Sequence, residues 1–195
     1  MPDTKNKRPY GIQKKAVLLS MKTPLTGKQI LNRAREDAPK ITYADVRQIL
    51  RKFEKDKLVI RLFGKGTTGR VYTLTQSGLA EATFYAPDFK KLPSPTNIDW
   101  DLYSQLSRSK ALLSVLMQLG YKHLGSERKT PTQVKKQLLE KHPMSLSLVI
   151  ASITRLAELE LAKQVDSPDR DDRLSYYRVT PKGRIYVDLL ESVLS

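Results

Sequence analysis

The chain has 195 residues, no cysteine, two histidines and a formal net charge of +15 at pH 7. Its length allows one ordinary domain or two small ones, and the lack of cysteine excludes disulfides, thiolate metal sites and thiol nucleophiles. No apolar run is long enough for a membrane span, and the first residues lack the apolar core of a signal peptide, so we expect a cytoplasmic, nucleoid-associated protein. The positive charge favours a polyanionic partner; an unpartnered basic surface, a membrane surface and an acidic protein are the alternatives.

Three helices and a hairpin are predicted in a first domain, residues 10–86, which follows a flexible basic arm at residues 1–9. Two helix starts have the spacing of a capping box, with Gln29 and Asp45 at the third helical position. After the second of these starts, apolar residues recur three and four apart, which predicts one buried helical face. The predicted elements are a helix at 13–21, helices beginning after Thr26 and Thr42, strands at 58–63 and 70–75, and a helix from about Gln76.

A proline-rich segment separates this domain from a second one. Residues 87–99 contain three prolines, which disfavour helix and strand and predict an extended linker. The second domain, residues 100–195, is predicted to repeat the same order of elements. Those elements are helices at 106–119, 131–141 and 146–160, a hairpin within 162–179, and a last helix from about Pro181.

Short motifs recur in the same order in both halves, which indicates an internal repeat. Tyr72-Thr-Leu-Thr-Gln-Ser-Gly78 is similar to Tyr177-Arg-Val-Thr-Pro-Lys-Gly183, at an offset of 105 residues. Three helices followed by a hairpin resemble the winged helix-turn-helix, and the repeated Tyr-x-x-Thr-x-x-Gly is similar to the end of the wing in MarR- and PadR-like regulators. The resemblance implies a mainly α fold with small β-hairpin wings (α+β), built as two tandem winged helix-turn-helix domains.

In such a fold the third helix of the first domain is the expected DNA-contacting element. Arginine and glutamine can recognise guanine and adenine edges, while lysine and threonine can hold phosphates. The basic arm adds further phosphate or minor-groove contacts. An ordinary solvated helix face is the alternative interpretation. The predicted DNA-binding residues are Thr42, Tyr43, Arg47, Gln48, Arg51 and Lys52 on this helix, Lys28 on the helix before it, and Lys65 and Arg70 in the wing.

The equivalent helix of the second domain lacks this chemistry. At an offset of 103 residues, Arg47 corresponds to Ile150 and Arg51 to Thr154, so the outward side is largely apolar and indicates a protein interface. An alignment that is wrong by one or two residues is the alternative. The last helix has an apolar face that indicates dimerisation or, equally, coverage of its own core. The predicted interface residues are Leu148, Ile150, Ile185, Leu189 and Val193.

The charge is divided unevenly between the halves. Residues 1–97 contain 20 Lys and Arg against 8 Asp and Glu, a net +12, whereas residues 98–195 contain 15 against 12, a net +3. We therefore predict a double-stranded DNA-binding protein, foremost a transcription regulator, whose first domain binds DNA and whose second domain binds protein or forms a dimer. A replication-initiator or plasmid-partition protein, and a tandem winged-helix interaction scaffold, are the alternatives.

Catalytic and cofactor chemistry is not indicated by any motif. Gly64 to Gly69 match the G-x-G-x-x-G pattern, but a strand follows instead of a helix, so a wing tip is predicted and not a nucleotide site. An aspartate-rich turn beginning at Asp166 lacks the glycine and distal glutamate of a calcium loop. His123 and His142 have no ligand or nucleophile spacing around them. We therefore expect no enzyme activity, no cofactor and no metal.

Overall fold

The computed structural model describes residues 11–62, 70–92, 98–121, 128–139, 142–166 and 175–194. The chain divides into two compact units, unit 1 at residues 1–104 and unit 2 at residues 105–195. In the described part of the chain the fold is mostly helical with small antiparallel sheets, as predicted. No helix in that part is long and apolar enough to cross a membrane.

Unit 1 packs its helices around an apolar core and adds a three-stranded antiparallel sheet with strand order β1-β3-β2. The core contains Leu18, Ile30, Leu50 and Phe53, all with less than 2% of their surface exposed. A further helix, α5 (Trp100–Arg108), spans the division between the units. The elements of unit 1 are α1 (Ile12–Ser20), β1 (Leu25–Thr26), α2 (Gly27–Asp37), α3 (Tyr43–Lys55), β2 (Val59–Leu62), β3 (Val71–Leu74) and α4 (Gln76–Tyr85).

Both capping boxes predicted from the sequence are present. The backbone N–H of Thr26 donates to Gln29 Oε1 over 2.8 Å, and Gln29 N–H donates back to Thr26 Oγ1. Likewise Thr42 N–H donates to Asp45 Oδ2 over 2.9 Å, and Asp45 N–H donates to Thr42 Oγ1 over 3.2 Å. Each box satisfies N–H groups that a helix start leaves without partners, so α2 and α3 begin where the sequence predicted.

Unit 2 repeats the order of three helices, hairpin and helix. Its two strands are antiparallel, and its core includes Leu116, Val149, Ile153 and Val187. The predicted helix at 106–119 is instead divided, because the side chain of Ser109 accepts the N–H of Leu112 and begins a new helix. The elements are α6 (Lys110–Gly120), α7 (Pro131–Leu138), α8 (Leu146–Glu158), β4 (Ala162–Val165), β5 (Tyr176–Val179) and α9 (Pro181–Leu194).

The entry to each hairpin has the same unusual backbone. Lys57 and Glu160 have positive φ angles of 57° and 61°, and they stand 103 residues apart. Each residue follows the end of the preceding helix, and its left-handed backbone allows the Schellman-type hydrogen bonds that close a helix C-terminus. Thr75 Oγ1 donates to the Lys57 carbonyl over 2.7 Å, and Thr180 Oγ1 donates to the Glu160 carbonyl over the same distance. The repeated threonine therefore fastens the end of each hairpin to the turn at its start.

A close approach to a backbone carbonyl explains the repeated glycine. A Cβ atom on Gly78 would lie 2.0 Å from the carbonyl oxygen of Leu58, and one on Gly183 would lie 2.1 Å from that of Leu161. No side chain fits at either distance, so the helix that follows each hairpin can pack against it only at a glycine. The Thr-x-x-Gly similarity thus reflects one tertiary contact that is built twice.

The buried faces of α3 and α8 fix the alignment between the two units. Four buried positions recur at a constant offset of 103 residues, so the alternative of a shifted alignment is wrong. These positions are Val46, Ile49, Leu50 and Phe53 in α3, and Val149, Ser152, Ile153 and Leu156 in α8.

The units differ at the third strand. In unit 1, the buried Leu25 in β1 pairs with Tyr72. In unit 2 this strand is reduced to a single bridge between Lys129 and Tyr177. Lys129 is 4% exposed, and its Nζ donates to the carbonyl oxygens of Gln118 and Tyr121 at the end of α6. Burial lowers the pKa of Lys129.

The first part of the predicted linker packs on unit 1. Phe89 is buried, Leu92 N–H donates to the Lys22 carbonyl over 2.8 Å, and Lys91 Nζ donates to the Leu74 carbonyl over 2.8 Å. The prolines prevent helix and strand, but they do not prevent the surrounding side chains from docking. The division between the two compact units falls after residue 104.

Candidate nucleic-acid interface

The outward side of α3 carries the polar and basic side chains that the sequence singled out. Its other side is buried in unit 1, as the apolar spacing predicted. The side chains of Arg47, Gln48 and Arg51 form no hydrogen bond or ion pair with another residue in the described part of the chain, so their donors are available. The exposed residues of this helix include all six candidates: Thr42, Tyr43, Arg47, Gln48, Arg51 and Lys52.

The first turn of α3 is held by the cap and by α2. Thr42 Oγ1 donates to Asp45 Oδ2 over 2.7 Å, so the Thr42 hydroxyl is already committed to the capping box. The same hydrogen bonds from the side chain and backbone of Thr42 lower the pKa of Asp45. The ring of Tyr43 lies against Gly27, where an added Cβ would be 3.3 Å from it. Lys28 is the next residue of α2 and is exposed.

The described part of the chain includes one of the two predicted wing residues, Arg70. Arg70 is exposed immediately before β3, whereas Lys65 lies outside the described residues. The hairpin is tied to α3 by Arg61, whose Nη2 donates to Glu54 Oε2 over 2.6 Å. Glu54 raises the pKa of Arg61. Arg61 is therefore a cation with a protein partner, a pairing that the sequence analysis missed because it joins two different elements.

One basic residue near α3 was also missed. The neighbouring side chain of Lys52 is the main cause that lowers the pKa of Lys14, in the first turn of α1. Its helix carries no sequence motif that would single it out. The proximity follows only from the packing of α1 on α3.

Unit 2 presents a different surface at the same position of the fold. Leu148 and Ile150 are 44% and 46% exposed on α8, and Ile185 on α9 is 42% exposed. Ala151 and Thr154 are exposed at the positions that correspond to Gln48 and Arg51 in α3. This part of the surface is neutral and largely apolar.

The other two predicted interface residues are placed elsewhere. Leu189 and Val193 on α9 are 5% and 8% exposed, and α9 contacts α6 and β5. They contribute to the core of the single chain, which is the alternative that the sequence left open for this face. Ile185 is the one member of the predicted α9 set that is exposed.

Within the described ranges, no group of three His, Cys, Asp or Glu side chains is arranged to hold a metal ion. Asp166 is exposed, and the aspartates that follow it lie outside the described residues.

Comparisons with known proteins find similarity among solved structures. No family model matches the chain, and no curated protein matches it. Among solved structures, it is similar to the crystal structure of Bacillus subtilis PadR in complex with operator DNA, with 18% identity and a TM-score of 0.35. The match covers 78% of this chain and 93% of that chain. At this TM-score we take no family and no function from it.

Proposed function

We propose that the protein binds double-stranded DNA in a sequence-directed manner and acts as a transcription regulator. Unit 1 is the DNA-contacting unit, with α3 in the major groove. The observation that carries this proposal is the exposed, unpartnered trio of Arg47, Gln48 and Arg51 on a helix whose counterpart in unit 2 carries Ile150, Ala151 and Thr154.

The chemistry of this trio suits base recognition. Arginine donates two parallel hydrogen bonds to guanine, and glutamine pairs with adenine, each good contact contributing about 1–3 kcal/mol of discrimination. Arg47 and Arg51 are one helical turn apart, so they address neighbouring base pairs from one helix. The exposed Lys28, Lys52 and Arg70 hold the backbone and set the position of the helix.

Neutralisation of phosphates makes the affinity depend on salt. If about six phosphates are contacted, the logarithm of the binding constant falls with the logarithm of salt concentration at a slope near −5. The net +12 of residues 1–97 supports a contact of this size. The same charge argues against a scaffold that works through protein contacts alone.

Unit 2 is the protein-binding unit in this proposal. Leu148, Ile150 and Ile185 are exposed apolar side chains on a unit of low net charge, and they bind a protein surface, either a second copy or another chain. Pairing two copies would place two α3 helices on one duplex, which is how helix-turn-helix dimers recognise half-sites.

Selection of bound sequences from random duplex DNA tests the proposal. We expect an enriched motif, and we expect Arg47→Ala to relax the preference at one position of that motif with a loss of about tenfold or more in affinity. Arg155→Ala is a matched control, because Arg155 occupies the position in α8 that corresponds to Lys52. Weak, salt-insensitive binding without enrichment would contradict the proposal.

A further inference from the structure

The hairpin of unit 2 carries three basic residues in one row across its strands. Lys163 in β4 lies directly opposite Arg178 in β5. The antiparallel bridge between Lys129 and Tyr177 sets Arg128 beside Arg178, on the other side of β5. Residues that lie opposite each other on neighbouring strands present their side chains on the same face of a sheet. Lys163, Arg178 and Arg128 therefore share one face, which we call the basic face of the hairpin.

The basic face is directed away from the core of unit 2. Side chains alternate along a strand, and Ala162, the residue before Lys163, is 2% exposed on the core side. On the basic face, Lys163 and Arg128 are exposed and Arg178 is half-buried. Arg128 Nη1 donates to the carbonyl oxygen of Asp166, directly after β4, over 3.2 Å. The Arg128 side chain therefore crosses β5 on this face and does not enter the core.

The central pair of the basic face is a cost to the hairpin. Like charges that lie directly opposite each other on two strands are destabilising. The side chains of Lys163 and Arg178 form no hydrogen bond or ion pair in the described part of the chain, so no protein group offsets their repulsion. In unit 1 the corresponding pair is Ile60 and Thr73, which is uncharged. The fold does not require cations at this position, and an anionic partner explains them.

We propose that the basic face of the hairpin binds the phosphate backbone of DNA, a contact that rests on the proposed DNA binding by unit 1. The guanidinium of Arg178 donates in parallel to two phosphate oxygens, and Lys163 adds a point charge beside it. The row extends about 10 Å across the strands, so it can meet more than one phosphate. DNA is favoured over an acidic peptide because both units belong to one chain, so a duplex bound by unit 1 is offered to unit 2 at a high effective concentration. Phosphate contacts carry no sequence information, so unit 2 adds affinity without recognising bases.

The test compares two double variants of the full chain. Lys163→Gln with Arg178→Gln removes the central pair of the basic face. Lys136→Gln with Arg155→Gln is the matched control, because it removes the same charge from exposed positions of α7 and α8. With labelled duplexes over a salt series, we expect the first variant to weaken binding about tenfold and to reduce the salt slope by about 2, for the selected duplex and for an unrelated one alike. We expect the control to change affinity less than about twofold.

A charge reversal distinguishes a binding role from a structural one. Lys163→Glu places a carboxylate opposite Arg178, and such a pair of opposite charges stabilises an antiparallel hairpin. We therefore expect this variant to unfold at a higher temperature than the wild type and to bind the duplex more weakly than Lys163→Gln does. If Lys163 served the fold alone, affinity for DNA would not change.

The outcomes separate this contact from the proposed function. Equal losses of affinity in the two double variants, in a protein that binds DNA, overturn the contact and leave the proposed function standing. A wild-type chain that does not bind the duplex overturns both. A labelled glutamate-rich peptide tests the competing partner: if the variant that lacks Lys163 and Arg178 loses this peptide but keeps the duplex, the basic face binds an acidic protein segment and the assignment to DNA is wrong.

Discussion

Helices α3 and α8 occupy the same position in the two units, bury the same four positions and begin at equivalent caps, yet their outward sides differ in kind. Three exposed positions are Arg47, Gln48 and Arg51 in α3, and the corresponding ones in α8 are neutral. The buried side of each helix maintains the fold, whereas the exposed side is free to diverge. The difference between the units is therefore the part of the molecule that carries functional information.

The largest expected effect concerns the contact that the units share. Gly78→Ala and Gly183→Ala each place a methyl group against a backbone carbonyl, at 2.0 and 2.1 Å, so the helix that follows each hairpin must move away from it. We expect each change to lower the free energy of unfolding by about 3 kcal/mol in urea titrations. Gly11→Ala is the control, because no atom lies within 4 Å of the added carbon. If either change lowered the free energy of unfolding by less than about 1 kcal/mol, the contact between helix and hairpin would not stabilise both units alike.

A smaller loss of stability is expected when the caps at the starts of α3 and α8 are removed. Ser145 caps α8 by accepting the Leu148 N–H, whereas Thr42 caps α3 within a full capping box that includes Asp45. We expect Thr42→Ala and Ser145→Ala each to cost about 1 kcal/mol at neutral pH.

Only the cap of α3 should contribute less to stability as the pH falls. The pKa of Asp45 is lowered in the folded chain, so its contribution to stability is complete above the unfolded pKa of about 3.9 and is lost as pH falls through the folded value. The cost of Thr42→Ala should shrink in that window, while the cost of Ser145→Ala should not. Urea titrations across the acid range measure both, and parallel pH profiles would contradict the assignment of the box.

The smallest effect tests the reduced third strand of unit 2. Because burial lowers the pKa of Lys129, the unfolded chain binds more protons than the folded chain between the folded pKa and the unfolded value of about 10.4. The free energy of unfolding therefore rises with pH within that window. Lys129→Met should remove this part of the slope, as measured by thermal unfolding over alkaline pH. An unchanged slope would mean that the ammonium of Lys129 is as well solvated as it is in the unfolded chain.

The features that the sequence predicted correctly depend on short spacing. Capping boxes, the apolar period of α3 and the Thr-x-x-Gly motif each lie within a few residues, and they located the helices. Contacts between elements were missed: Glu54 with Arg61, and Lys129 at the end of α6. None of these partners is marked by local propensity, because the tertiary fold alone brings them together. The same limit explains why α5 was merged with α6, since one N-cap serine is a weaker signal than a continuous apolar pattern.

The most direct measurement transfers the outward residues of α8 onto α3. The variant Arg47→Ile, Gln48→Ala and Arg51→Thr gives α3 the residues found at the corresponding positions of α8, and every changed position is exposed. We expect a folded protein whose unfolding free energy changes by about 0.5 kcal/mol or less. We also expect that affinity for the selected duplex falls by a factor of about 100 or more, since two or more base contacts are lost. A variant that binds the selected duplex as tightly as the wild type would contradict the claim that the outward side of α3 recognises DNA.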